Sequence, residues 1–495
     1  MFREKIDSRE RLHSRNRFLF KTIFPIIILT LFLTFYTFST EFLFTITSPS
    51  YTDTAATTTT TTSTTDTTTT PTTNTIINTT TTNTTTSTTT TSTSSATSDS
   101  EKFLTYLPHS GFHNQHGALM NAIMLSYITN RTLIIPPVLI NYVPHLHSFY
   151  PLYDALNEIL KVKKYRKDHC NDSIDNNTSY CNEKYLKYDN FTMINWEETF
   201  DLSELKQYVR IINRGYDFSL DNLKKNLNIN DEDDDIYLFI ETEQYEYEFF
   251  DKEESKQGLG KFKKKYFMSD LLKIEKKLLH FTSLFSHYKI VLEKDENKKF
   301  RQLIHNKLII NNINLLNITN KIAKKLGGKG NYFGLHIRVG DGIFKGSLQK
   351  NIDLIYNELI ENLLKLNLFK KKNLKNFLNN NNNNLDECLK NNLPIIYIAT
   401  DSDDPKNLFS KFYNNLPCIF TLFDFTKELD ILDHLSSDYD ENVGLSNFYI
   451  PLIDLLITAH GKIFIGTEGS TFSRMAYEVH NLYNGENAMS SMDGV

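Results

Sequence analysis

The sequence has few cysteines, no excess of positive charge and no pattern typical of a zinc site. Four cysteines in 495 residues are too few for a small scaffold that depends on disulfides. The net charge of -5 excludes a broadly basic protein that binds nucleic acid through its phosphates. No Cys-x-x-Cys or His-Cys cluster suggests a zinc site. An aromatic content of 13% argues against a chain that is disordered throughout. The length allows about two or three domains.

The chain opens with a basic segment followed by an uncharged, apolar one. Residues 1–21 hold seven Arg and Lys residues against three acidic ones, and residues 22–40 are mostly Ile, Leu, Phe or Tyr. The apolar run is close to the ~20 residues that span a bilayer. Positive charge on its N-terminal side predicts a cytosolic tail at 1–21 and a signal-anchor helix at 22–40. A cleaved signal peptide is the alternative, although small residues at a cleavage site are lacking.

Residues 41–100 are rich in Thr and Ser. They have too little apolar surface to offset the entropy of ordering, so we expect an extended, disordered stalk. A high density of hydroxyl residues is typical of an O-glycosylated spacer, and simple low-complexity expansion is the alternative. Tail, span and stalk together predict a single-pass type II protein of the Golgi or ER membrane, with the large C-terminal part in the lumen.

The cysteines and glycosylation sequons fit that compartment. Cys170 lies near Cys181 and Cys388 lies near Cys418, so two local disulfides are the natural pairing, although four cysteines allow three connectivities. Asn-x-Ser/Thr sequons are common in this Asn-rich chain and support a lumenal location only mildly. They occur at Asn78, Asn83, Asn130, Asn171, Asn176, Asn177, Asn190 and Asn317.

Helical and strand patterns alternate from residue 101 onward. Helical spacing of apolar residues occurs at 117–129, 271–308, 352–368 and 452–459, and short apolar strands occur at 131–135, 236–240, 332–339, 395–399 and 463–465. This alternation predicts an α/β fold with parallel sheets. We expect two Rossmann-like domains, an acceptor-side domain at 101–326 and a nucleotide-sugar domain at 327–495 with an Asn-rich insert near 372–385. Ligands of such sheets bind beyond the C-terminal ends of the strands.

Two motifs lie near the first predicted helix and at the end of the strand at 332–339. Gly-Phe-His-Asn-Gln at 111–115 precedes the helix, whose N-terminus attracts anions, and a simple helix cap is the alternative. In His-Ile-Arg-Val-Gly-Asp-Gly at 336–342, His336 and Arg338 share one face of the strand. The planar guanidinium of Arg338 suits a phosphate, and an ion pair with Asp341 is the alternative.

Two further motifs follow later strands. Gly-Thr-Glu-Gly-Ser-Thr-Phe-Ser at 466–473 joins a strand to a helix, where amides and the hydroxyls of Ser470 and Thr471 would hold a phosphate, unless Ser470 is only an N-cap. Asp401 and Asp403 form an Asp-x-Asp pair that could bind a divalent cation or merely cap a turn. The motifs together favour a diphosphate site that neutralises a nucleoside-diphosphate leaving group without a metal, and the reaction this implies is glycosyl transfer from a nucleotide sugar.

These motifs resemble the GDP-fucose protein O-fucosyltransferase-like family in content and order. The residues at 111–115 and Asn-Arg-Thr-Leu-Ile-Ile-Pro-Pro at 130–137 are similar to its N-terminal signature. His-Ile-Arg-Val-Gly at 336–340 looks like its His-x-Arg-x-Gly element, Ala-Thr-Asp at 399–401 like its strand end, and Gly-Ser-Thr-Phe at 469–472 like its terminal loop. The resemblance covers most of residues 104–478.

The resemblance implies a GT-B fold, with two facing Rossmann-like domains and GDP-fucose in the cleft between them. It implies inversion without a metal ion or other cofactor, which removes most of the case for a metal at Asp401. Arg338 would stabilise the leaving β-phosphate and Asn114 would face the sugar. The donor-binding set implied by the resemblance comprises His336, Arg338, Gly340, Asp454, Ser470, Thr471 and Phe472, with Asp454 reading guanine.

The acceptor side departs from the family pattern. No carboxylate lies in the motif at 111–115, where some relatives carry a glutamate as general base, and His113 is the candidate base here. The family also includes mechanisms without a side-chain base, so both interpretations stay open. The expected activity is transfer of fucose from GDP-fucose to a hydroxyl of a protein or glycan (EC 2.4.1 class). The alternatives are another nucleotide-sugar donor, or a stalked surface protein with a non-catalytic transferase-like domain. We expect no nucleic-acid partner.

Overall fold

The computed structural model describes residues 101–170, 179–230, 235–286, 288–340, 342–368 and 384–485. All of them belong to one compact unit. The predicted tail, signal anchor and stalk lie outside the described residues, as does most of the Asn-rich insert. Within the described ranges, no helix is both long and apolar enough to cross a bilayer.

The described chain alternates strands and helices. The strands are β1 (Phe103–Tyr106), β2 (Thr132–Ile135), β3 (Val138–Ile140), β4 (Thr192–Ile194), β5 (Ile211–Asn213), β6 (Ile236–Phe239), β7 (Tyr247–Phe250), β8 (Lys264–Phe267), β9 (Leu278–Phe281), β10 (Ile290–Val291), β11 (Tyr332–Ile337), β12 (Ile395–Thr400), β13 (Ile419–Phe420) and β14 (Ile463–Gly466). The helices are α1 (Phe112–Thr129), α2 (Phe149–His169), α3 (Leu220–Asn226), α4 (Met268–Leu272), α5 (Asp295–Lys307), α6 (Ile313–Lys325), α7 (Gly342–Lys365), α8 (Leu385–Lys390), α9 (Pro405–Leu408), α10 (Ser410–Asn415), α11 (Thr426–Leu429), α12 (Ser446–Ala459) and α13 (Thr471–Asn484). Short 3₁₀ helices lie at Ser179–Cys181, Glu183–Tyr188, Trp196–Glu198, Leu205–Gln207, Leu422–Phe425 and Asp430–His434.

Two parallel sheets form the centre of the described chain. The first has the strand order β5-β2-β1-β9-β6, and the second has the order β13-β12-β11-β14. Every strand pair within both sheets is parallel. A three-stranded parallel sheet β10-β7-β8 and an antiparallel pair β3-β4 complete the sheets. The predicted α/β fold with parallel sheets is therefore confirmed, and the domain boundary at 326/327 stays a prediction.

Helices cover both faces of the second sheet. Alternate residues of β11 point to opposite sides, so Phe333, Leu335 and Ile337 pack with the apolar side chains of α7. On the other face Tyr332 packs with α12, and its hydroxyl donates to the carbonyl of Ile457 at 2.6 Å. Gly334 lets α12 approach closely, because a Cβ there would overlap the carbonyl of Thr458. This packing leaves the C-terminal edge of the sheet as the place for polar groups.

The predicted helices differ from those observed in extent, and α7 and α12 begin at Gly342 and Ser446, before their predicted starts at 352 and 452. The stretch 271–308 is not one helix, because β9 and β10 occupy its middle and α5 begins only at Asp295. Charged residues surround these short buried strands, so the spacing of apolar residues over the whole stretch resembles that of a helix. The first helix begins at Phe112, five residues before its predicted start. His113 and Asn114 therefore lie in the first turn of α1 and not in a loop before it.

Both predicted disulfides are present, Cys170–Cys181 and Cys388–Cys418. Cys388 lies on α8 and Cys418 immediately precedes β13, and both are buried. This bond joins a helix beyond the Asn-rich insert to the edge strand of the second sheet. It therefore ties the far end of the insert to the sheet.

We expect the replacement of Cys388 and Cys418 by Ser to lower the free energy of unfolding by about 4 kcal/mol. In the chain-entropy account, a bond that closes 30 residues constrains the unfolded chain more than one that closes 11. The matched double variant at Cys170 and Cys181 should lose only about 3 kcal/mol. Urea unfolding of the three proteins measures both losses, and a larger loss at Cys170 and Cys181 would contradict the ranking.

Candidate functional site

Thr467 links the C-terminal ends of two neighbouring strands. In the pairing of β11 with β14, His336 lies opposite Gly466, and Thr467 follows directly. The Thr467 hydroxyl donates to the carbonyl of His336 at 3.1 Å and accepts from the N–H of Arg338 at 2.9 Å. The Thr467 carbonyl accepts from the N–H of Ser470 at 3.3 Å. One buried threonine thus places Arg338 beside the start of α13, although the motif reading did not single it out.

Asp401 holds the loop that carries Arg338. Its carboxylate accepts hydrogen bonds from the N–H groups of Val339 (2.7 Å) and Gly340 (3.0 Å), and it forms an ion pair with the Arg338 guanidinium at 2.9 Å. A side chain on Gly340 would overlap that carboxylate, so any other residue there would displace the Asp401 side chain. A third of the Arg338 side chain stays exposed. Asp401 is therefore one partner of Arg338, and Asp341, the partner considered from the sequence, lies outside the described residues.

The oxygens of Asp401 thus accept from the loop amides and contact the Arg338 guanidinium. Asp404, the next acidic residue, caps α9 by accepting from the N–H of Asn407 at 3.3 Å. Among the described residues, no group of three or more His, Cys, Asp or Glu side chains is arranged to hold a metal ion.

His336 is a buried, neutral ring at the same edge. Its Nδ1 lies 2.6 Å from the Ser473 hydroxyl, and its ring stacks on Phe472 with the centroids 4.1 Å apart. Burial lowers the pKa of His336 to about 3, and the charges of Arg338 and His113 act in the same direction. The ring is therefore uncharged at neutral pH. Ser473, in the first turn of α13, is not among the predicted site residues.

The start of α13 has the geometry of an anion site. Ser470 is the N-cap, and its hydroxyl accepts from the N–H of Ser473 at 3.4 Å. The capping role considered for Ser470 is thus observed. The N–H groups of the first helical turn, at Thr471 and Phe472, have no acceptor within the helix and carry the positive end of its dipole. These amides, more than the Ser470 hydroxyl, are suited to hold an anion.

The first turn of α1 reaches this edge from the N-terminal half. The Nδ1 of His113 lies 3.3 Å from the sulfur of Met475, and its ring packs edge-on against Phe472 at 5.3 Å. Phe472 therefore lies between His113 and His336, and the rings join the two sequence halves. This places His113 beside the residues that follow β11 and β14.

Asn114 and Gln115 differ in their surroundings. Gln115 is buried and fixes the preceding loop, because its amide donates to the carbonyls of Ser110 (2.9 Å) and Leu139 (3.0 Å) and accepts from the N–H of Leu139. The Oδ1 of Asn114 is also buried, but it has no hydrogen-bond partner among the residues that the structure describes. An unpaired buried acceptor is costly, so Asn114 is suited to receive a hydroxyl of a bound ligand.

Asp454 lies on α12 and is buried, not exposed. It accepts a hydrogen bond from the Tyr397 hydroxyl at 2.5 Å, and the backbone of Thr400 bonds to it as well. Burial raises the pKa of Asp454 to about 7, although both hydrogen bonds oppose the rise. Burial also raises the pKa of Tyr397 well above its ordinary value, so the phenol remains a donor. Asp454 thus contacts the backbone of Thr400, the residue before Asp401, and is half protonated near neutral pH.

Comparison with known proteins assigns the chain to a class and then to a family. The family model of GDP-fucose protein O-fucosyltransferases, a class of glycosyltransferases, matches residues 178–483, more than half of the sequence. The chain therefore belongs to the GDP-fucose protein O-fucosyltransferase family. O-fucosyltransferase 30 of Arabidopsis thaliana is 52% identical over 48 residues, and this match spans only about a tenth of either chain.

Solved structures resemble the chain only distantly. A crystal structure of POFUT1 in complex with GDP is 12% identical, covers 80% of this chain and 99% of its own, and has a TM-score of 0.36. The NodZ alpha-1,6-fucosyltransferase crystallised with GDP is 11% identical, covers 76% of this chain and 92% of its own, and has a TM-score of 0.34. These scores are too low to support an argument about the site.

We expect the Asp454→Asn variant to flatten the dependence of the melting temperature on pH. In the folded protein the pKa of Asp454 is raised from its ordinary 3.8 to about 7, so the folded state binds an additional proton between these values. The stabilisation is complete below pH ~4 and is lost as the pH rises through ~7. Thermal melts from pH 4.5 to 8 measure the slope, and Asp353→Asn, at an exposed residue, is the control. An unchanged slope in Asp454→Asn would show that this carboxyl does not titrate there.

Proposed function

We propose that the protein transfers fucose from GDP-fucose to a hydroxyl of a protein or glycan acceptor, with inversion and without a metal ion. Family membership supports GDP-fucose as the donor. One observation supports placing the donor site at the C-terminal edge of the second sheet. Thr467 holds both the backbone of Arg338 and the start of α13, so a guanidinium and a set of helix N-terminal amides lie together beyond β11 and β14. Both groups suit a diphosphate. In this proposal the two parallel sheets belong to the two facing domains of a GT-B fold.

The charge of the leaving group is neutralised by protein groups. As the bond between the fucose anomeric carbon and the β-phosphate oxygen breaks, negative charge grows on the diphosphate. Arg338 supplies a bidentate donor for that charge, and the first amides of α13 supply the helix dipole. Asp401 keeps the guanidinium in place but is committed to two amides as well, which supports a mechanism without a bound cation. His336, being neutral, can donate one N–H to the ribose or diphosphate without adding charge.

The acceptor would enter from the side of α1. Its hydroxyl oxygen forms the new bond to the anomeric carbon on the face opposite the diphosphate, and its proton must leave. His113 is the side chain proposed to take that proton, because it packs against Phe472 and Met475 beside the donor edge. The unpaired Oδ1 of Asn114 would accept a hydrogen bond from a sugar or acceptor hydroxyl. Asp454 is proposed to lie under the base-binding end, where its carboxyl suits the N–H donors of guanine.

We also propose a lumenal location for the described part, held at a Golgi or ER membrane by the segment at 22–40. Two disulfides form in the described chain, and such bonds persist in oxidising compartments. The sequon residues Asn130, Asn190 and Asn317 are all exposed, as glycosylation requires. The anchor itself lies outside the described residues.

We expect Arg338→Ala to reduce kcat for transfer from GDP-fucose by about 10²–10³-fold, since it removes the main donor to the developing charge. Arg338→Lys should recover only part of the loss, because an ammonium cannot form the bidentate contact. Arg210→Ala removes an exposed arginine that pairs with Glu101, and it serves as the control. Turnover by purified protein with GDP-fucose measures the effect, with a UDP-sugar as comparison. If Arg338→Ala is as active as the unaltered protein, the donor site does not lie at the C-terminal edge of the second sheet.

We expect Asp401→Asn to act through Arg338. The amide cannot hold two N–H groups and a guanidinium as the carboxylate does, so kcat/KM should fall about tenfold or more. In a double-mutant cycle, Asp401→Asn should cost little further activity once Arg338 is already Ala. Asp353→Asn, which breaks an exposed pair with Lys411, is the control. Fully additive losses would show that Asp401 does not position Arg338.

A further inference from the structure

A second polar cleft lies between α5 of the N-terminal half and α13 of the C-terminal half. Its volume is about 290 Å³. Lys298, Arg301, Gln302 and His305 line it from α5, and their spacing places them on one face of that helix. Arg474 lines it from α13. We call this cleft the oxyanion cleft. None of its lining residues belongs to the proposed donor site.

The oxyanion cleft carries an excess of positive charge. Lys298, Arg301 and Arg474 are cationic side chains, whereas none of the lining residues is acidic. The carboxylate of Glu478 lies 3.1 Å from the Nε of Arg474 and 3.5 Å from the Nδ1 of His305. Glu478 is thus shared by Arg474 and His305, and its charge also acts on Arg301. An exposed Asp295, 3.6 Å from Lys298, screens that ammonium only weakly.

One N–H-bearing nitrogen of Arg301 has no hydrogen-bond acceptor among the described residues. Its Nη1 donates to the Oδ1 of Asn121 at 3.0 Å, and Asn121 is itself fixed by donating to the carbonyls of Leu284 and Ser286. Its Nη2 is buried and has no hydrogen-bond partner in the described part of the chain. Burial lowers the pKa of Arg301 to about 10, so the guanidinium is still charged at neutral pH. A buried cationic donor of this kind is stabilised when an anion occupies the neighbouring space.

We infer that the oxyanion cleft binds an anion of the phosphate or sulfate class, either as a free ion or as the ester group of a sugar. The donors of Arg301 and Lys298 are on α5, and that of Arg474 is on α13. Donors on two helices suit a tetrahedral oxyanion, with several oxygens around one centre, better than a planar carboxylate. The cleft is at the lower end of the size range of ligand pockets, so it holds more than a bare ion. Its two apolar lining residues, Ile290 and Leu292, can contact a sugar ring.

This inference goes beyond the proposed donor site and does not depend on it. A bound oxyanion would contact α5 and α13 together, and α13 is the helix whose first turn is proposed to hold the diphosphate. Anion binding would therefore stabilise the contact between the two sequence halves. Any ligand that binds the folded state alone raises its melting temperature by mass action.

The test measures melting temperature and Kd for the full-length chain in detergent. Sodium sulfate, sodium phosphate, glucosamine 6-sulfate and mannose 6-phosphate are titrated against sodium chloride of equal ionic strength. The variants are Arg474→Gln and Lys298→Gln, whose side chains are partly exposed and whose loss should not unfold the protein. Lys307→Gln, on α5 but outside the cleft, is the matched control. Arg338→Ala is included because it removes the proposed donor site.

We expect the oxyanions to raise the melting temperature above the chloride value. Arg474→Gln and Lys298→Gln should each weaken binding about tenfold, also in the Arg338→Ala background, while Lys307→Gln leaves it unchanged. Tighter binding of the sugar esters than of the inorganic ions would identify a substituted sugar as the ligand, and equal binding would identify the free ion. No stabilisation beyond chloride, or a response that Arg338→Ala removes and Arg474→Gln retains, would overturn the inference.

Discussion

The carboxylate of Asp401 is the interaction on which the geometry of the proposed donor site depends. It receives the amides of Val339 and Gly340 and pairs with Arg338, so one side chain fixes both the loop and its guanidinium. This is possible because β11 and β12 are adjacent and parallel, with Ile337 opposite Thr400. The next residue on each strand then faces the same edge. Arg338 is held in place and still remains one-third exposed, which a ligand-binding arginine requires.

Burial determines the charges around that carboxylate. His336 is neutral because burial lowers its pKa to about 3, and Asp454 is partly protonated because burial raises its pKa to about 7. Because of both effects, few side chains at the C-terminal edge of the second sheet are charged apart from Arg338 and Asp401. Together with the N-terminus of α13, the result is an environment that favours an entering anion. Phe472, stacked on His336 and touched by His113, joins this edge to α1.

Much of the second sheet could be predicted because its strands are short apolar runs bounded by polar residues or glycine. The same reasoning failed across 271–308, where β9 and β10 are too short to outweigh the charged residues around them. Arg338, His336 and Ser470 were identified by their motifs, and the structure links them through Thr467. Thr467 and Ser473 were overlooked because their roles depend on bonds to a strand far away in sequence. The sequence offers Asp401 as a metal ligand, because its partners, in the loop after β11, lie far away along the chain.

The sequence alone determined the alternation of strands and helices, the local cysteine pairs and the motifs that resemble the family, because each of these depends on nearby residues. Only the tertiary structure decided that Asp401 pairs with Arg338, that Asp454 is buried against Tyr397, and that Arg301 and Arg474 face one cleft. These features require contacts between distant segments, and their charge states depend on how far packing removes each group from water. Neither distance nor desolvation can be read from the order of residues along the chain.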